Sequence, residues 1–127
     1  MTIDVVTSFI SAIERKDLEH ALTHLTDDCD YDNVPMGKVF GRDAVRETLA
    51  PFLARYEEVE WVILQQAASG TLDEGVVLNE RIDRFRAGGR WVEIPLAGVF
   101  KIRHGQISLW RDYFDRDMLL RAMTPQA

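Results

Sequence analysis

Three charged residues in the C-terminal half of the chain have the types and the spacing for acid–base chemistry. Arg81 and Asp83 lie two positions apart in the segment VVLNERIDRFR, and Asp112 lies in QISLWRDYF. Residues two apart on a strand share a face, so Arg81 and Asp83 would share one with Val77 and Phe85, and Asp112 would stand between Trp110 and Phe114. One arginine can donate to two carboxylates, and in an apolar site one of the two carboxyls is pushed to keep its proton. The trio therefore offers one acid and one base.

A tyrosine and an asparagine nearer the N-terminus could complete such a site. Tyr31 and Asn33 share one face of a short segment and supply neutral polar groups able to orient a water molecule. Taken singly these residues have simpler explanations, because an Arg-x-Asp pair on a strand is usually a surface ion pair, and Tyr31 and Asn33 could close a loop. Their shared facing and their apolar surroundings favour one common site.

The same alternation predicts an apolar pocket around the charged trio. The segment WVEIPLAGVFKI, which lies between the two charged strands, carries an almost purely apolar face. If that face lines one cavity with the faces that bear Arg81 and Asp112, the charged trio supplies the main polar groups of an apolar pocket. The large or central residues on the three faces are Phe85, Val92, Ile94, Leu96, Gly98, Phe100, Ile102, Trp110 and Phe114.

The elements that must position these residues follow from periodicity and capping signals. Helices are predicted over residues 3–15, from the cap Asp17 to Leu25, from Asp43 to Tyr56, and after Asp115 over RDMLLRAM. Strands are predicted at 29–33, 59–67, 75–86, 90–103 and 106–114. Pro51 is expected to kink or interrupt the third helix. Helices followed by strands indicate an α+β fold, in which a strongly curved, mixed or antiparallel sheet wraps over the N-terminal helices as a cone.

The composition narrows the domain count and the classes of partner. A length of 127 residues predicts a single domain over 1–127, and a formal net charge of −6 argues against nucleic acid and anionic membranes. Cys29 is the sole cysteine, so no intramolecular disulfide can form. The acidic N-terminal segment is unlike a secretory signal, and no apolar run approaches the roughly 20 residues of a membrane helix. A cytoplasmic location is expected.

Four segments, DYDNVPMG, LNERIDRF, IPLAGVF and WRDYFD, resemble the limonene-1,2-epoxide hydrolases, within the SnoaL-like and nuclear-transport-factor-like superfamily. The resemblance runs from the first helix to about Met123. It implies that Asp112 is the base that takes a proton from a water held by Tyr31 and Asn33. It also implies that Asp83 is the acid that protonates the epoxide oxygen, and that Arg81 bridges the two aspartates. One-step addition of water to an epoxide, which gives a diol, is the expected reaction.

The resemblance further implies the pocket, the assembly and the cofactor requirement. Phe85, Ile94, Leu96 and Phe114 fall where the family lines its substrate pocket, and we expect Trp110 to border it. Family members are typically homodimers that need no metal and no cofactor. The natural epoxide stays open, since a monoterpene, a smaller cyclic compound, a lipid or sterol, and a polyketide all fit the pattern.

Two other classes of function are compatible with the same elements. A ketosteroid-isomerase-like or polyketide-cyclase-like enzyme would shuttle a proton on one aspartate and would not need Arg81 between two acids. A non-catalytic small-molecule-binding or dimerisation module would leave its cavity polar groups scattered or absent. His20 and His24 are one helical turn apart and could bind a metal, but no third ligand is near in sequence, so no metal is expected. The acidic run over residues 27–32 is expected to be a solvated loop.

Overall fold

A computed structural model describes residues 1–124 of the chain, and its elements are those of an α+β fold. The helices are α1 (Thr2–Glu14), α2 (Leu18–Leu22), α3 (Arg42–Arg55) and α4 (Arg116–Met123). The strands are β1 (Leu25–Asn33), β2 (Gly37–Phe40), β3 (Glu58–Gly70), β4 (Glu74–Ala87), β5 (Arg90–Arg103) and β6 (Gln106–Phe114). In this part of the chain, no helix is both long and apolar enough to cross a membrane.

All six strands form one curved sheet in the order β2-β1-β6-β5-β4-β3. β1 and β6 are parallel, and the other neighbours are antiparallel. α1 packs on β3, β4 and β6 and buries Val6, Phe9 and Ile13 completely. Phe9 meets Trp110 of β6 edge to face, with ring centroids 5.1 Å apart. The sheet therefore encloses a core against the N-terminal helices, as predicted.

Burial alternates along the strands that carry the charged residues. On β4 the odd positions from 75 to 85 are buried, and the even positions are partly or fully exposed. On β5 the even positions from 92 to 102 are buried in the same way. β6 has an irregularity at Ser108, because Ile107 pairs with Ile102 whereas Leu109 pairs with Lys101. This extra residue lets Ile107 and Trp110 both face the core.

The first part of the sheet differs from the prediction. Leu25, expected to end the second helix, begins β1, and the strand starts four residues before the predicted 29–33. The acidic residues expected in a loop belong to this strand, where Asp28 pairs with Arg103 at 2.7 Å and Asp32 with Arg111 at 3.0 Å. Arginines on neighbouring elements thus compensate a composition that is unfavourable for a strand. β2, which no pattern predicted, is a four-residue edge strand with no buried residue.

The third helix also departs from its prediction. Its N-cap is Gly41, at φ 88°, and Asp43 lies inside the first turn. Pro51 lies within the helix and does not interrupt it. Proline removes one backbone hydrogen bond, but the buried side chains Val45, Leu49 and Leu53 hold this helix against the core. The predicted caps Asp17 and Asp115 are confirmed, because each side chain accepts a bond from a backbone N–H three residues later.

Candidate active site

Arg81 joins the two predicted aspartates inside the protein. Its guanidinium donates from Nε to Asp83 Oδ1 at 3.0 Å and from Nη2 to Asp83 Oδ2 at 3.2 Å. Nη2 also donates to Asp112 Oδ2 at 3.1 Å. The Arg81 side chain is 0% exposed, and those of Asp83 and Asp112 are 12% and 5% exposed. The strand alternation has therefore gathered an acid–arginine–acid group out of solvent.

The two oxygens of Asp112 have different surroundings. Oδ2 accepts from Arg81 and also from the indole N–H of Trp110 at 3.1 Å. Oδ1 is buried and has no hydrogen-bond partner. A buried carboxylate oxygen without a partner is costly, so Oδ1 is an unused hydrogen-bond acceptor among the residues that the structure describes.

Tyr31 and Asn33 lie on the strand that pairs with β6. Asn33 is the register partner of Asp112, and Tyr31 is that of Trp110. The Asn33 amide donates to the Tyr31 hydroxyl oxygen at 3.0 Å, which leaves the hydroxyl proton free to be donated elsewhere. The Tyr31 ring stacks on Trp110 with centroids 3.8 Å apart, so the orientation of the phenol is fixed. All five predicted polar residues thus meet in one place, which we call the cavity floor.

Burial dominates the electrostatics of the cavity floor. It raises the pKa of Asp83 to about 6, against the hydrogen bonds from Arg81, and the negative charge of Asp112 adds to the rise. It also raises the pKa of Asp112, although Arg81 and Trp110 favour the ionised form. For Arg81, burial opposes the charge, but the two carboxylates outweigh it and raise its pKa. The floor thus holds a permanent cation and two carboxyls that accept protons more readily than exposed ones.

The pKa of Tyr31 is also raised, chiefly by burial and next by the charge of Asp112. The phenol therefore stays protonated at neutral pH and acts as a hydrogen-bond donor or acceptor.

An apolar cavity of about 390 Å³ opens above the cavity floor. Phe85, Ile94, Leu96 and Phe114, the four predicted pocket residues on the strands, line it. Trp110 does not, because it is fully buried behind the floor, where it holds Asp112 and Tyr31. The expectation that Trp110 borders the pocket is thus corrected to a supporting position.

The cavity has a second side that the sequence analysis missed. It is formed by the β1–β2 turn and by helices α3 and α4, and we call it the outer wall; it consists of Met36, Thr48, Leu49, Phe52, Leu119 and Met123. Met36 and Thr48 are exposed, which places the opening beside them. Helical periodicity could have indicated an apolar stripe on each helix, but it carries no information on which strand face that stripe covers.

Three more residues next to Arg81 carry no predicted role in the site. Asn79, on the same face of β4 and 4% exposed, accepts from Arg81 Nη1 at 3.0 Å. Gly98 is the register partner of both Asn79 and Asp112. A Cβ atom on Gly98 would lie 2.5 Å from Arg81 Nη1, so only glycine leaves room for the guanidinium here. Trp61 also lines the cavity and lies under the guanidinium, with 5.0 Å from its ring centroid to Cζ of Arg81.

The histidine pair has no further ligand near it. The rings of His20 and His24 meet edge to face with centroids 5.2 Å apart. Within residues 1–124, no three histidine, cysteine, aspartate or glutamate side chains are grouped as a metal site.

Comparisons with known proteins agree on the family. A family model described as the limonene-1,2-epoxide hydrolase catalytic domain matches residues 1–125. Epoxide hydrolase EphG of Mycobacterium tuberculosis (strain ATCC 25618 / H37Rv) is 33% identical over 110 residues, 87% of this chain and 70% of that protein. The solved structure of an M. tuberculosis LEH-like epoxide hydrolase matches with a TM-score of 0.81 at 30% identity and covers 96% of this chain and 88% of that one.

More distant structures share only the fold. An NTF2-like protein of unknown function from Burkholderia pseudomallei K96243 matches with a TM-score of 0.77 at 21% identity, over 98% of both chains.

Proposed function

The chain belongs to the limonene-1,2-epoxide hydrolase family, and on that premise we propose that it adds water to an epoxide in one step to give a vicinal diol. The observation that supports this reaction best is the hydrogen-bonding of Arg81 to two buried aspartates at one end of an apolar cavity. An epoxide carries strain that favours opening, but its oxygen is a poor leaving group unless it is protonated as the C–O bond breaks. A general acid can supply that proton, and a general base can activate the water that attacks the carbon.

In this proposal Asp112 is the general base. Its Oδ1 is the floor carboxylate oxygen without a partner, and the strand register sets Asn33 directly beside it. A water that donates to Oδ1 could also contact the Tyr31 hydroxyl and the Asn33 side chain. Three contacts would hold the oxygen lone pair of that water toward the substrate, so that the nucleophile is ordered before the reaction.

Asp83 is the general acid. It lines the cavity, and its pKa of about 6 is already raised by burial. An apolar substrate that fills the cavity removes the remaining solvent from this carboxyl and raises its pKa further. Asp83 is then the group best placed to carry a proton beside the ring oxygen at neutral pH.

The proposed step balances with the groups of the chain and one water. Asp112 takes a proton from water as the water oxygen forms a bond to one epoxide carbon. The C–O bond at that carbon breaks, and the ring oxygen receives the proton of Asp83. The step leaves Asp112 protonated and Asp83 ionised, so one proton must return to Asp83 before the next turnover. Arg81 stays charged throughout and is hydrogen-bonded to both aspartates, so it contacts whichever of the two is ionised.

The cavity supports a small apolar epoxide as substrate. Away from the cavity floor its lining is apolar except for Thr48 beside the opening, so polar groups deep in the cavity and away from the floor would be buried without partners. A volume of about 390 Å³ lies near the lower end of the range for small-molecule pockets. We therefore propose a compact hydrocarbon epoxide in which the ring oxygen is the only strongly polar atom.

The family resemblance implies a homodimer, and we also propose that two copies pair through the face of the sheet that points away from the cavity. Leu64 and Leu78 are 55% and 50% exposed on adjacent strands of that face, and Tyr113 is 48% exposed on β6. Exposed apolar groups of this size on one sheet face are typical of an interface. Light scattering should give the mass of a dimer, and Leu78→Glu should shift it toward the monomer. A monomeric wild type would end this part of the proposal.

A single turnover in oxygen-18 water tests the reaction. Enzyme in excess over cyclohexene oxide should yield a diol that carries the label in its first turnover, because the water attacks carbon directly. An ester route would place an unlabelled carboxylate oxygen in the first diol and the label in the protein. Unlabelled diol, or an ester trapped on Asp112, would therefore contradict direct attack. Failure to form diol, with proton exchange into a cyclic ketone instead, would favour the one-aspartate isomerase alternative.

A further inference from the structure

Asn79 accepts a hydrogen bond from Nη1, the nitrogen of the Arg81 guanidinium that donates to neither aspartate. The Nε and Nη2 side of the group faces Asp83, and Nη2 also reaches Asp112, whereas Nη1 donates to Asn79 Oδ1. Asn79 is buried, and its own Nδ2 has no partner. Burial of an amide that uses half of its hydrogen-bonding capacity has a cost, so its retention beside the charged group calls for a role.

Arg81 Nη1 and the unpartnered Oδ1 of Asp112 are close to each other. They lie 2.5 Å and 3.0 Å from the single point at which Gly98 would carry a Cβ atom. Nη2 already donates to the other oxygen of Asp112. A guanidinium whose Nη2 bonds one carboxylate oxygen commonly pairs Nη1 with the second, which gives a two-pronged contact. Here Nη1 is bonded to Asn79 instead.

We propose that Asn79 is a positioning residue that keeps Arg81 Nη1 away from Asp112, so that Oδ1 of Asp112 remains free to accept the nucleophilic water. Asn79 contacts neither the water nor the substrate in this scheme and acts only through Arg81. Without it, Nη1 loses its acceptor, and a small shift of the planar guanidinium lets an Nη1 N–H bond the unpartnered Oδ1, so that both oxygens of the base are hydrogen-bonded to the same cation. The inference rests on the proposed function, because it assumes that Asp112 is the base.

The charged and titratable groups around Arg81 are few. Asp83 lies on the same strand, Asp112 on β6 and Tyr31 on β1, and the negative charge of Glu14 on α1 acts on Asp83. Asn79 is the neutral partner in this set. Replacing it therefore changes how the guanidinium is shared between the two carboxylates, while the charges themselves are kept.

Asn79→Leu removes the acceptor at nearly constant size. With cyclohexene oxide we expect kcat to fall by at least about tenfold, because the base is masked, while KM stays within about twofold. The acid limb of the kcat/KM profile should move to lower pH, since a second hydrogen bond from Arg81 favours the ionised form of Asp112. A crystal structure of the variant should show Nη1 within hydrogen-bond distance of Asp112 Oδ1.

Asn79→Asp is the opposing variant. It keeps an oxygen that accepts from Nη1, so Oδ1 of Asp112 should stay free, but the added negative charge should move the acid limb to higher pH. Val77→Ala is the matched control, because Val77 is fully buried on the same face of β4 and is no member of the cavity lining. It should lower stability and leave the pH profile in place. If the acid limb of the kcat/KM profile lay at the same pH in both Asn79 variants, the proposal would be overturned.

The structural readout separates this inference from the proposed function. If the wild type hydrolyses no epoxide, the assignment of the base fails, yet the position of Nη1 in Asn79→Leu can still be determined. Nη1 that stays off Asp112 Oδ1 in a folded Asn79→Leu variant refutes the positioning role, whatever the activity. The positioning role is also refuted if Nη1 is hydrogen-bonded to Asp112 Oδ1 in the variant and kcat is unchanged, because the free oxygen would then have no catalytic importance.

Discussion

The cavity floor and the outer wall enclose the same space but are built differently. Floor residues stand on β1, β4 and β6, central strands of the sheet with a bonded neighbour on each side. Hydrogen bonds join Tyr31 to Asn33, and Arg81 to both aspartates. The outer wall comes from a turn and two helices, and α4 contains no fully buried residue. The difference teaches that the proposed acid and base stand on the rigid part of the molecule, whereas part of the pocket's shape is set by the β1–β2 turn and α4, which can move at lower cost.

The largest effect should come from removing the proposed base in the cavity floor. Asp112→Asn keeps the size of the side chain but cannot take a proton, so kcat should fall by about 10² to 10⁴. Diol formation from a cyclic epoxide measures the loss. Asp32→Asn is the control, because Asp32 is a carboxylate on the adjacent strand that pairs with Arg111 and does not line the cavity. Equal losses in the two variants would show that the floor has no special role.

A second prediction concerns the stability that depends on Arg81. Arg81→Met leaves two buried carboxyls without their shared cation, and the free energy of unfolding should fall by about 3 to 5 kcal/mol in urea titrations at pH 7. The control is Arg84→Met, since Arg84 is part-exposed and pairs with Glu60 and Glu93 at the surface. Its loss should be no more than about 1 kcal/mol. Similar losses would mean that the buried network is no more important than a surface pair.

The raised pKa of Asp83 predicts a pH-dependent stability. A carboxyl with a raised pKa binds its proton more tightly in the native state than in the unfolded chain. The stability from this proton is complete below the unfolded pKa, near 4, and is lost as pH rises through about 6. Between pH 4 and 7 the wild type should therefore lose about 2 kcal/mol of unfolding free energy relative to Asp83→Asn, which cannot titrate. If the wild type instead gained unfolding free energy relative to Asp83→Asn over this range, the effect of Arg81 on the pKa of Asp83 would outweigh that of burial.

Strand alternation predicted the cavity floor because it is a local property of the sequence. Facing on β4 and β6 follows from period two, so the convergence of Arg81, Asp83 and Asp112 could be expected. The role of Asn79 could not, because its contact depends on the space that Gly98 leaves on the next strand. The first four residues of β1 were likewise not predicted, and Asp28 among them is paired with Arg103, which is far away in the sequence.

The outer wall could not be predicted either, because it also depends on contacts between elements that are distant in the sequence. Where α3 and α4 dock, and how the β1–β2 turn closes over the strands, is decided by tertiary packing. The sequence therefore predicted the polar groups of the site better than the shape of the pocket above them.

The smallest effect should come from the outer wall, and it should depend on substrate size. Met36 is 47% exposed and lines the opening of the cavity from the β1–β2 turn. Met36→Ala removes flexible apolar surface there but touches no floor residue, so kcat for cyclohexene oxide should stay within about twofold. A longer epoxide that reaches the opening should lose about 1 kcal/mol of binding, or roughly a fivefold rise in KM. Phe85→Leu, on the strand side of the cavity, is the matched variant and should affect both substrates. If Met36→Ala lowered kcat for both epoxides to a similar extent, the outer wall would contribute to the chemistry, and the contrast between the two sides of the cavity would fail.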